Sequence, residues 1–281
     1  MILSQEALKL DLPLTTTRLR RFIKDYVQKT KAKGIVLALS GGIDSSTAAA
    51  LSALAIGGQK VLALSMPERE TRNSLDIKHS KRLAEKFQFN LETIDITNIL
   101  KAYYKSLPAF RSEDVVSKGN IKARARSICV YYYANHQNRI TVGPSDKSET
   151  MLGYFTKWGD VAADISPLMD LYKSQVRQLA SYIGVPSEIV RKPSSPQLWP
   201  GQLAETELGM NYKTLDLVLL GLENFMTTEE IAEKLHLSLK HVEAVRTRWL
   251  SSEHKRRAPL TMKMGYRTTG MDFRLPYKAE V

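Results

Sequence analysis

Residues 40–45 (SGGIDS) combine two glycines, two hydroxyl side chains and one carboxylate. The apolar run before them is typical of a buried strand, and the Ala-rich run after them is typical of a helix. Glycines at such a junction let the chain turn sharply and let a ligand approach the backbone. The loop amides and the free N–H groups at the helix start favour binding of an anion such as phosphate.

Asp44 is the one carboxylate in this loop, and its place beside an anion site needs a physical reason. A carboxylate repels phosphate unless a cation lies between them, and Mg²⁺ binds carboxylates together with phosphate oxygens. The sequence lacks the Lys-containing phosphate loop of the P-loop NTPases, because no GxxxxGK[ST] motif occurs. The motif predicts a Mg²⁺-dependent phosphate site; the alternative is a glycine-rich turn in which Asp44 only caps the helix.

Apolar strands and helices supply the framework that must position this loop. A first helix is predicted from the apolar spacing of residues 19–27, with Thr15 to Thr17 as its cap and Gly34 at its end. Wholly apolar strands separated by helices indicate a parallel sheet covered on both faces. This is an open α/β fold, whose ligands bind beyond the carboxyl ends of the strands. The predicted strands are 35–39, 61–65, 91–96 and 139–142, and the predicted helices between them are 45–56, 73–87 and 121–135.

The rest of the chain consists of predicted loops and a helical end. Residues 108–119 and 192–209 read as loops, and long connections in a compact domain are often functional. Residues 227–249 return to helical spacing. We therefore predict one domain over residues 1–281, with a helical C-terminal extension from about residue 215.

Composition restricts the class of protein. The 281 residues are 43% hydrophobic and 25% charged, which is typical of a soluble globular protein. The apolar runs are too short to cross a bilayer, and the N-terminus lacks a signal-peptide pattern. A single cysteine, Cys129, excludes an internal disulfide and fits a reducing compartment, so we predict a cytoplasmic protein.

The net charge of +12 has three interpretations: a nucleic-acid surface, a polyanionic small substrate, or solubility alone. Lys and Arg are spread along the chain, without a basic tail or a basic repeat interleaved with aromatics. This distribution favours substrate phosphates and solvated faces over a nucleic-acid partner.

The loop at residues 40–45 resembles the SGGxDS pyrophosphate loop of the N-type ATP pyrophosphatases. Four further stretches are similar to motifs of one family within that superfamily, the NAD synthetases. The resemblance runs from about residue 18 to 275, and it implies an ammonia-dependent enzyme that adenylates the nicotinate carboxylate of deamido-NAD. The four stretches are 119–126 (GNIKARAR), 143–165 with its GYFTKWGD, 205–209 (ETELG) and 252–257 (SEHKRR).

The resemblance implies a role for each matching residue. Mg²⁺ is held by Asp44 and Glu149, Lys173 neutralises the ATP phosphates, and Asp164 is the candidate that accepts a proton from ammonium. The family also implies a homodimer. The ATP-binding residues implied are Ala38, Leu39, Ser40, Gly41, Gly42, Ile43, Asp44, Ser45, Pro144, Lys173 and Ser195. The deamido-NAD contacts implied are Lys122, Lys157, Asp164, His254 and Lys255.

The nitrogen source follows in part from the cysteine count. A glutamine-hydrolysing domain with a nucleophilic Cys would need far more chain. Cys129 lies in a predicted helix among apolar neighbours and is predicted to belong to the core. We therefore expect no glutaminase domain, and direct use of ammonia or delivery of ammonia by a separate protein.

Three loops depart from the family pattern. Pro144 replaces a Thr, so a contact to ATP is lost or is made by Ser145. Val161 and Ala162 replace two glycines of the GDGGAD loop and resist positive φ angles. The PSAGLW loop reads SSPQLW at residues 194–199. ATP activation is expected to survive these changes, while substrate identity is open.

Two rival functions remain. Another member of the superfamily, such as a tRNA-modifying ligase, would make use of the positive charge, and its RNA affinity would fall steeply with salt. Residues 227–246 resemble a helix-turn-helix, with Ala232 where the helices pack closely, but the expected turn glycine is absent at 235–238. We favour packing or a dimer contact for that segment over DNA binding.

Overall fold

A four-stranded parallel sheet lies at the centre of the computed structural model, which describes residues 2–269 and 272–273. The strand order is β3-β2-β1-β4, and every neighbouring pair is parallel. The order places β1 in the interior of the sheet with its carboxyl end between those of β2 and β4. The strands are β1 (Gly34–Ala38), β2 (Val61–Ser65), β3 (Asn90–Thr93) and β4 (Arg139–Thr141).

Helices cover both faces of this sheet and form the C-terminal region. Within the described residues they are α1 (Leu12–Lys29), α2 (Ile43–Ile56), α3 (Ser74–Phe87), α4 (Thr97–Ser106), α5 (Val115–Gln137), α6 (Lys147–Met151), α7 (Lys173–Tyr182), α8 (Ser187–Val190), α9 (Ala204–Leu208), α10 (Tyr212–Glu223), α11 (Thr228–Leu235), α12 (Leu239–Ser251) and α13 (Glu253–Arg256). None of these helices is long and apolar enough to span a lipid bilayer.

Burial on both sides of β1 explains its uninterrupted apolar sequence. Ile35 and Leu37 belong to a core with α1, α2, α3 and α7, while Val36 belongs to a separate core with α4 and α5. Successive side chains of a strand point to opposite faces, so both faces need apolar residues. The predicted open α/β fold with a parallel sheet is confirmed.

The C-terminal helices form a core of their own. Ile231, Val242 and Val245 are buried with residues of α10, and α11 and α12 pack against it. The turn between α11 and α12 needs no glycine because His236 takes the left-handed conformation there, with φ +52°. The predicted helical C-terminal region is therefore present, and its last helix ends at Arg256. The part of the predicted extension at residues 270–271 and 274–281 lies outside the described residues.

The predicted bounds of the first helix are wrong. Asp11 caps α1 by accepting a hydrogen bond from the backbone N of Leu14 at 2.9 Å, so Thr15 to Thr17 lie inside the helix. The helix ends at Lys29, and Gly34 begins β1 instead of ending α1. A Cβ at Gly34 would lie 2.1 Å from the carbonyl oxygen of Lys60, which explains the glycine at this tight strand contact.

Three further elements differ from the prediction. Helix α4 was not predicted; its Leu100 is buried against the sheet, so tertiary packing stabilises a short segment. Helix α5 begins at Val115 inside the predicted 108–119 loop, because Asp114 caps it by accepting from the backbone N of Ser117 at 2.9 Å. The predicted 192–209 loop contains α9 at its end.

Candidate active site

The glycine-rich turn lies directly after β1, at the carboxyl edge of the sheet. Gly41 has φ +77°, and a Cβ there would lie 2.6 Å from the carbonyl oxygen of Asp76, so no other residue fits without displacement. Ser45 Oγ accepts a hydrogen bond from Ser40 N at 3.2 Å, and Ser40 Oγ accepts from Gly42 N at 3.2 Å. These bonds fix the turn at the start of α2, whose N-terminal amides favour an anion.

Three carboxylates converge beside this turn. Asp44 lies in the first turn of α2. Asp146 caps α6, where its Oδ1 accepts from Glu149 N at 2.8 Å, and Glu149 lies in the first turn of that helix. One oxygen from each of the three side chains lies within 4.8 Å of the others. The predicted pair Asp44 and Glu149 is thus brought together, with Asp146 as an additional member.

Lys173 lies at the centre of the three carboxylates. Its Nζ is 2.6 Å from Asp44 Oδ2, 2.9 Å from Asp146 Oδ2 and 2.8 Å from Glu149 Oε1. The Lys173 side chain is fully buried at the first position of α7. Its backbone N donates to Ser148 Oγ at 2.9 Å, and Ser148 in turn donates to the buried carboxylate of Asp216 at 2.6 Å. These bonds fix the start of α7 and so position the ammonium group.

Burial opposes the ionisation of two acidic groups in the cluster, Asp146 and Glu149. Burial raises the pKa of Asp146 to about 7, and the neighbouring Asp44 charge adds to the shift while Lys173 opposes it. Burial likewise raises the pKa of Glu149. Burial disfavours the charge on Lys173, but the charges of Asp146, Asp44 and Glu149 outweigh it and raise the pKa of this ammonium. The single cation Lys173 therefore does not offset the effect of burial on these two carboxyl groups.

A cavity of about 430 Å³ adjoins the turn and the cluster. The predicted ATP-site residues that line it are Ala38, Leu39, Ser40, Gly42, Ile43, Asp44, Ser45, Pro144 and Ser195. Arg126, Arg248 and Lys255 add positive charge to its wall. A cavity with a glycine turn, carboxylates and cations in its wall can hold a nucleotide triphosphate.

The predicted dinucleotide residue Lys122 is buried under the cavity wall, with 1% of its surface exposed. Its Nζ lies 2.8 Å from Glu68 Oε1 and 2.7 Å from Glu70 Oε2, and it donates to the carbonyl oxygen of Leu198 at 2.9 Å. Burial acts to raise the pKa of Glu68, but the hydrogen bond and charge of Lys122 and hydrogen bonds from Glu70 and Thr71 lower it below its ordinary value. In this structure the Lys122 ammonium is satisfied by protein groups.

The other predicted dinucleotide residues occupy different places. Lys255 lines the cavity and donates to the carbonyl oxygens of Gly153 and Phe155 at 2.7 and 2.8 Å. Lys157 donates to the carbonyl oxygen of His254 at 2.8 Å, and neither residue lines the cavity. Asp164 also lies outside the cavity wall, where its Oδ2 accepts from the backbone N and Oγ1 of Thr141 at 2.7 and 2.9 Å.

The altered loops at Pro144 and at Val161 and Ala162 are accommodated without the expected strain. Neither Val161 nor Ala162 has a positive φ; Trp158 takes the left-handed conformation in that loop instead, with φ +61°. The loss of two glycines is therefore compatible with its backbone. Pro144 lines the cavity beside the buried Ser145, which retains a hydroxyl at that edge.

Sequence reasoning missed Asp146 and Asp216 as parts of the site. The sequence could have indicated Asp146, because an Asp three positions before Glu149 is typical of a helix cap. Such a cap lies at the same end of the helix as Glu149. Asp216 carries no such signal, since it lies in α10, far along the sequence, and contacts the site only through Ser148 and Ser174.

Cys129 lies on α5 away from the cavity wall and packs against the core beneath β1 and β2. Burial raises the pKa of its thiol, which lowers the fraction of the nucleophilic thiolate at neutral pH. This environment fits the predicted core role of Cys129.

Comparison with known proteins agrees with this geometry. The family model described as NAD synthase matches residues 15–259. The NH(3)-dependent NAD(+) synthetase of Aeropyrum pernix is 44% identical over 248 residues, covering 87% of both chains. The solved NMN synthetase of Francisella tularensis has a TM-score of 0.80 at 34% identity, covering 90% of this chain and 99% of the other. The solved NH3-dependent NAD synthetase of Campylobacter jejuni has a TM-score of 0.77 at 29% identity, covering 91% and 100%. The chain belongs to the NAD synthase family.

Proposed function

We propose that this protein is an ammonia-dependent NAD synthetase, which converts the nicotinate carboxylate of deamido-NAD to the amide at the expense of ATP. The observation that carries the proposal is the cluster of Asp44, Asp146, Glu149 and Lys173 beside the glycine turn of a nucleotide-sized cavity. The names of the relatives above support the same reaction.

The reaction has two balanced steps. First, a carboxylate oxygen attacks the α-phosphorus of ATP; the bond from that phosphorus to the bridging oxygen breaks, and pyrophosphate leaves with the electron pair. Second, the nitrogen of ammonia attacks the carbonyl carbon of the mixed anhydride, AMP leaves with its oxygen, and one proton is lost. Positioning and charge neutralisation dominate the first step, because the carboxylate and the phosphates repel one another.

The residues of this chain have separate tasks in the first step. The amides of the turn around Gly41 and Gly42 and the start of α2 hold the pyrophosphate. Lys173 brings a positive charge next to Asp44 at the same point. The seryl hydroxyls of Ser40 and Ser45 keep the turn in its binding conformation through their mutual contact at 3.0 Å.

The three carboxylates fit a resident Mg²⁺. Among the described residues Oδ1 of Asp44 is buried without a hydrogen-bond partner, while Oδ2 of Asp146 is paired with Lys173 Nζ at 2.9 Å. Three carboxylates and one ammonium leave two surplus negative charges when all are ionised, which a divalent cation balances. Asp44, Asp146 and Glu149 would hold the ion, which supplies positive charge to the phosphate oxygens.

The second step requires loss of a proton from ammonium, and we assign its acceptance to Asp164. Thr141 holds this carboxylate at the carboxyl end of β4, the edge of the sheet at which the cavity opens. The remaining dinucleotide contacts proposed are Lys255 in the cavity wall and the neighbouring Lys157 and His254, which lie close together in the structure. Lys122 contacts Glu68 and Leu198 of the cavity wall, and we propose that it stabilises that wall.

A mononucleotide is the second candidate substrate, because an NMN synthetase shares the fold and is 34% identical over the part that covers 90% of this chain. Both substrates carry the same nicotinate carboxylate, so the chemistry is unchanged. The altered residues Val161 and Ala162 lie in the loop next to the predicted dinucleotide contact Asp164.

The test is one assay with two acceptors. Purified protein is given ATP, Mg²⁺ and ammonium, with deamido-NAD, with nicotinate mononucleotide, or with neither. Equal amounts of AMP, pyrophosphate and NAD with the dinucleotide are expected. A higher kcat/KM for the mononucleotide would transfer the assignment to that substrate. AMP release at the same rate with and without either acceptor would contradict the proposal and would indicate a different carboxylate substrate.

We infer in addition that the protein is a homodimer. Ile128 and Tyr132 lie four positions apart on α5, so they share one face of the helix, and both are exposed. A second copy is the occupant that the family resemblance implies. Light scattering should give the mass of two chains, and replacing Ile128 and Tyr132 by Glu should give the mass of one chain.

The single cysteine supports a cytoplasmic location.

A further inference from the structure

The capping loop, which we define as residues 192–203, covers one side of the active-site cavity. At its centre Gln197 has φ +52°, in the left-handed region that favours glycine. A residue other than glycine, Asn or Asp is uncommon in that conformation, so other contacts must hold it there. The hydrogen bond of the Gln197 side chain is a contact of this kind.

Asp76 anchors the capping loop at two points. Gln197 Nε2 donates to Asp76 Oδ2 at 2.5 Å, and Lys192 pairs with Asp76 Oδ1. Asp76 lies in the first turn of α3 and is buried. Its backbone is also the surface against which Gly41 packs. One buried residue thus contacts both the capping loop and the glycine turn.

A second anchor lies on the opposite side of the loop. The Leu198 carbonyl oxygen accepts from buried Lys122 at 2.9 Å, and a Cβ at Gly119 would lie 3.0 Å from Leu198 Cβ. The loop is therefore packed closely against α5. Within the loop, Leu198 N donates to Gln202 Oε1 at 2.9 Å, and Ala204 N at the start of α9 donates to the Ser194 carbonyl oxygen at 3.0 Å.

We infer that Gln197 is a positioning residue that holds the capping loop closed on the ATP side of the cavity through Asp76. The charged acceptor makes this hydrogen bond stronger than one between neutral groups, and its loss frees the centre of the loop from α3. A closed loop is the form that lines the nucleotide pocket, so opening it lowers the fraction of the protein competent to bind ATP. The kinetic part of this inference rests on the proposed function, while the loop contact does not.

Two variants at Gln197 separate the side-chain bond from the backbone conformation. Gln197→Met keeps the length of the side chain and removes the amide donor. Gln197→Gly also removes the donor but suits the left-handed φ. Gln88→Met is the matched control, because Gln88 is an exposed glutamine at φ +54° at the end of α3.

Hydrogen–deuterium exchange of peptides from residues 192–204 is the first readout. Gln197→Met is expected to speed exchange there about fivefold or more, with β1 and β2 unchanged and Gln88→Met equal to the parent. Gln197→Gly is expected to behave like Gln197→Met. Parental exchange in Gln197→Met, or in Gln197→Gly, would overturn the inference, because backbone packing alone would then hold the loop.

Steady-state kinetics of the full chain is the second readout. Gln197→Met is expected to raise KM for ATP about threefold or more while kcat at saturating ATP stays within about twofold. An unchanged KM together with faster exchange would overturn the positioning role, and so would a fall in kcat alone. If the parent itself forms no amide while the exchange difference is present, the proposed function fails and the loop contact stands.

Discussion

Lys173 Nζ lies 2.6 Å from Asp44 Oδ2, although the two residues are 129 positions apart in the sequence. Asp44 comes from the first turn of α2 and Lys173 from the first residue of α7, and the two helices pack against each other. The ion pair therefore joins the starts of two helices at the carboxyl edge of the sheet. This arrangement places a buried positive charge beside the glycine turn, where we propose that the phosphates of ATP bind.

Replacement of Asp44 by Asn should abolish the first step of the reaction. The variant keeps the shape of the side chain but removes a charge that pairs with Lys173 and is assigned to Mg²⁺. We expect pyrophosphate release to fall at least about a hundredfold. Pyrophosphate release dependent on deamido-NAD is the measurement, with Asp25→Asn on α1 as the control. Near-parental release by Asp44→Asn would remove the metal assignment.

Magnesium should stabilise the protein, and more so as the pH rises. The folded-state pKa of Asp146 is about 7 against an ordinary value of 3.8. Between those values the folded state binds a proton that the unfolded state releases, so without metal this group lowers stability as pH rises through the window. Mg²⁺ competes with that proton, so its stabilising effect should be larger at pH 8 than at pH 6.

The measurement is a thermal unfolding series at the two pH values with and without Mg²⁺. A rise in Tm of about 4 °C or more is expected at saturating Mg²⁺ and pH 8. Asp146→Asn should reduce the rise, while Asp25→Asn should leave it intact. An equal response in parent and Asp146→Asn would show that the ion binds elsewhere.

Lys122→Met should destabilise the fold, whatever its effect on activity. Removing a buried cation leaves Glu68 unpaired, and breaking one partner of a buried ion pair costs about 3 kcal/mol or more. Lys118→Met is the matched control, because Lys118 pairs with the same Glu70 but is more exposed, and its loss should cost under about 1 kcal/mol. Urea unfolding measures both. Parental stability of Lys122→Met would instead favour a direct substrate contact.

Asp164→Asn should separate the two steps of the reaction. If Asp164 acts only on ammonium, the exchange of labelled pyrophosphate into ATP in the presence of deamido-NAD should persist. Formation of NAD should fall about a hundredfold, the range that general-base catalysis contributes. Loss of both activities would place Asp164 in substrate binding, and retention of both would exclude it as the base.

Cys129→Ala should leave ammonium-dependent turnover unchanged, because the half-buried thiol has a raised pKa and lies outside the cavity wall. Glutamine in place of ammonium should support no turnover by the purified chain. The two assays use the same detection of NAD. Glutamine-dependent turnover that disappears in Cys129→Ala would reverse the prediction and identify this thiol as a nucleophile.

The parallel sheet and the glycine turn are predictable from the amino-acid sequence, because both depend on local patterns. Apolar runs of strand length predicted β1 and β2, and the two glycines before Asp44 predicted a backbone that a phosphate can approach. The segments with weak local signals were predicted less well. Helix α4 is stabilised by packing of Leu100 under the sheet, and the cap of α1 at Asp11 lies before the apolar pattern begins.

Which charged side chains meet depends on how distant parts of the chain pack together. Lys122 was assigned to the substrate by its motif, but Glu68, Glu70 and the Leu198 carbonyl surround its ammonium group. Gln197 replaced an expected glycine, and its side chain contacts Asp76 from 121 positions away. Such partners come from separate elements, and their distance depends on how helices pack onto the sheet, which no local pattern encodes.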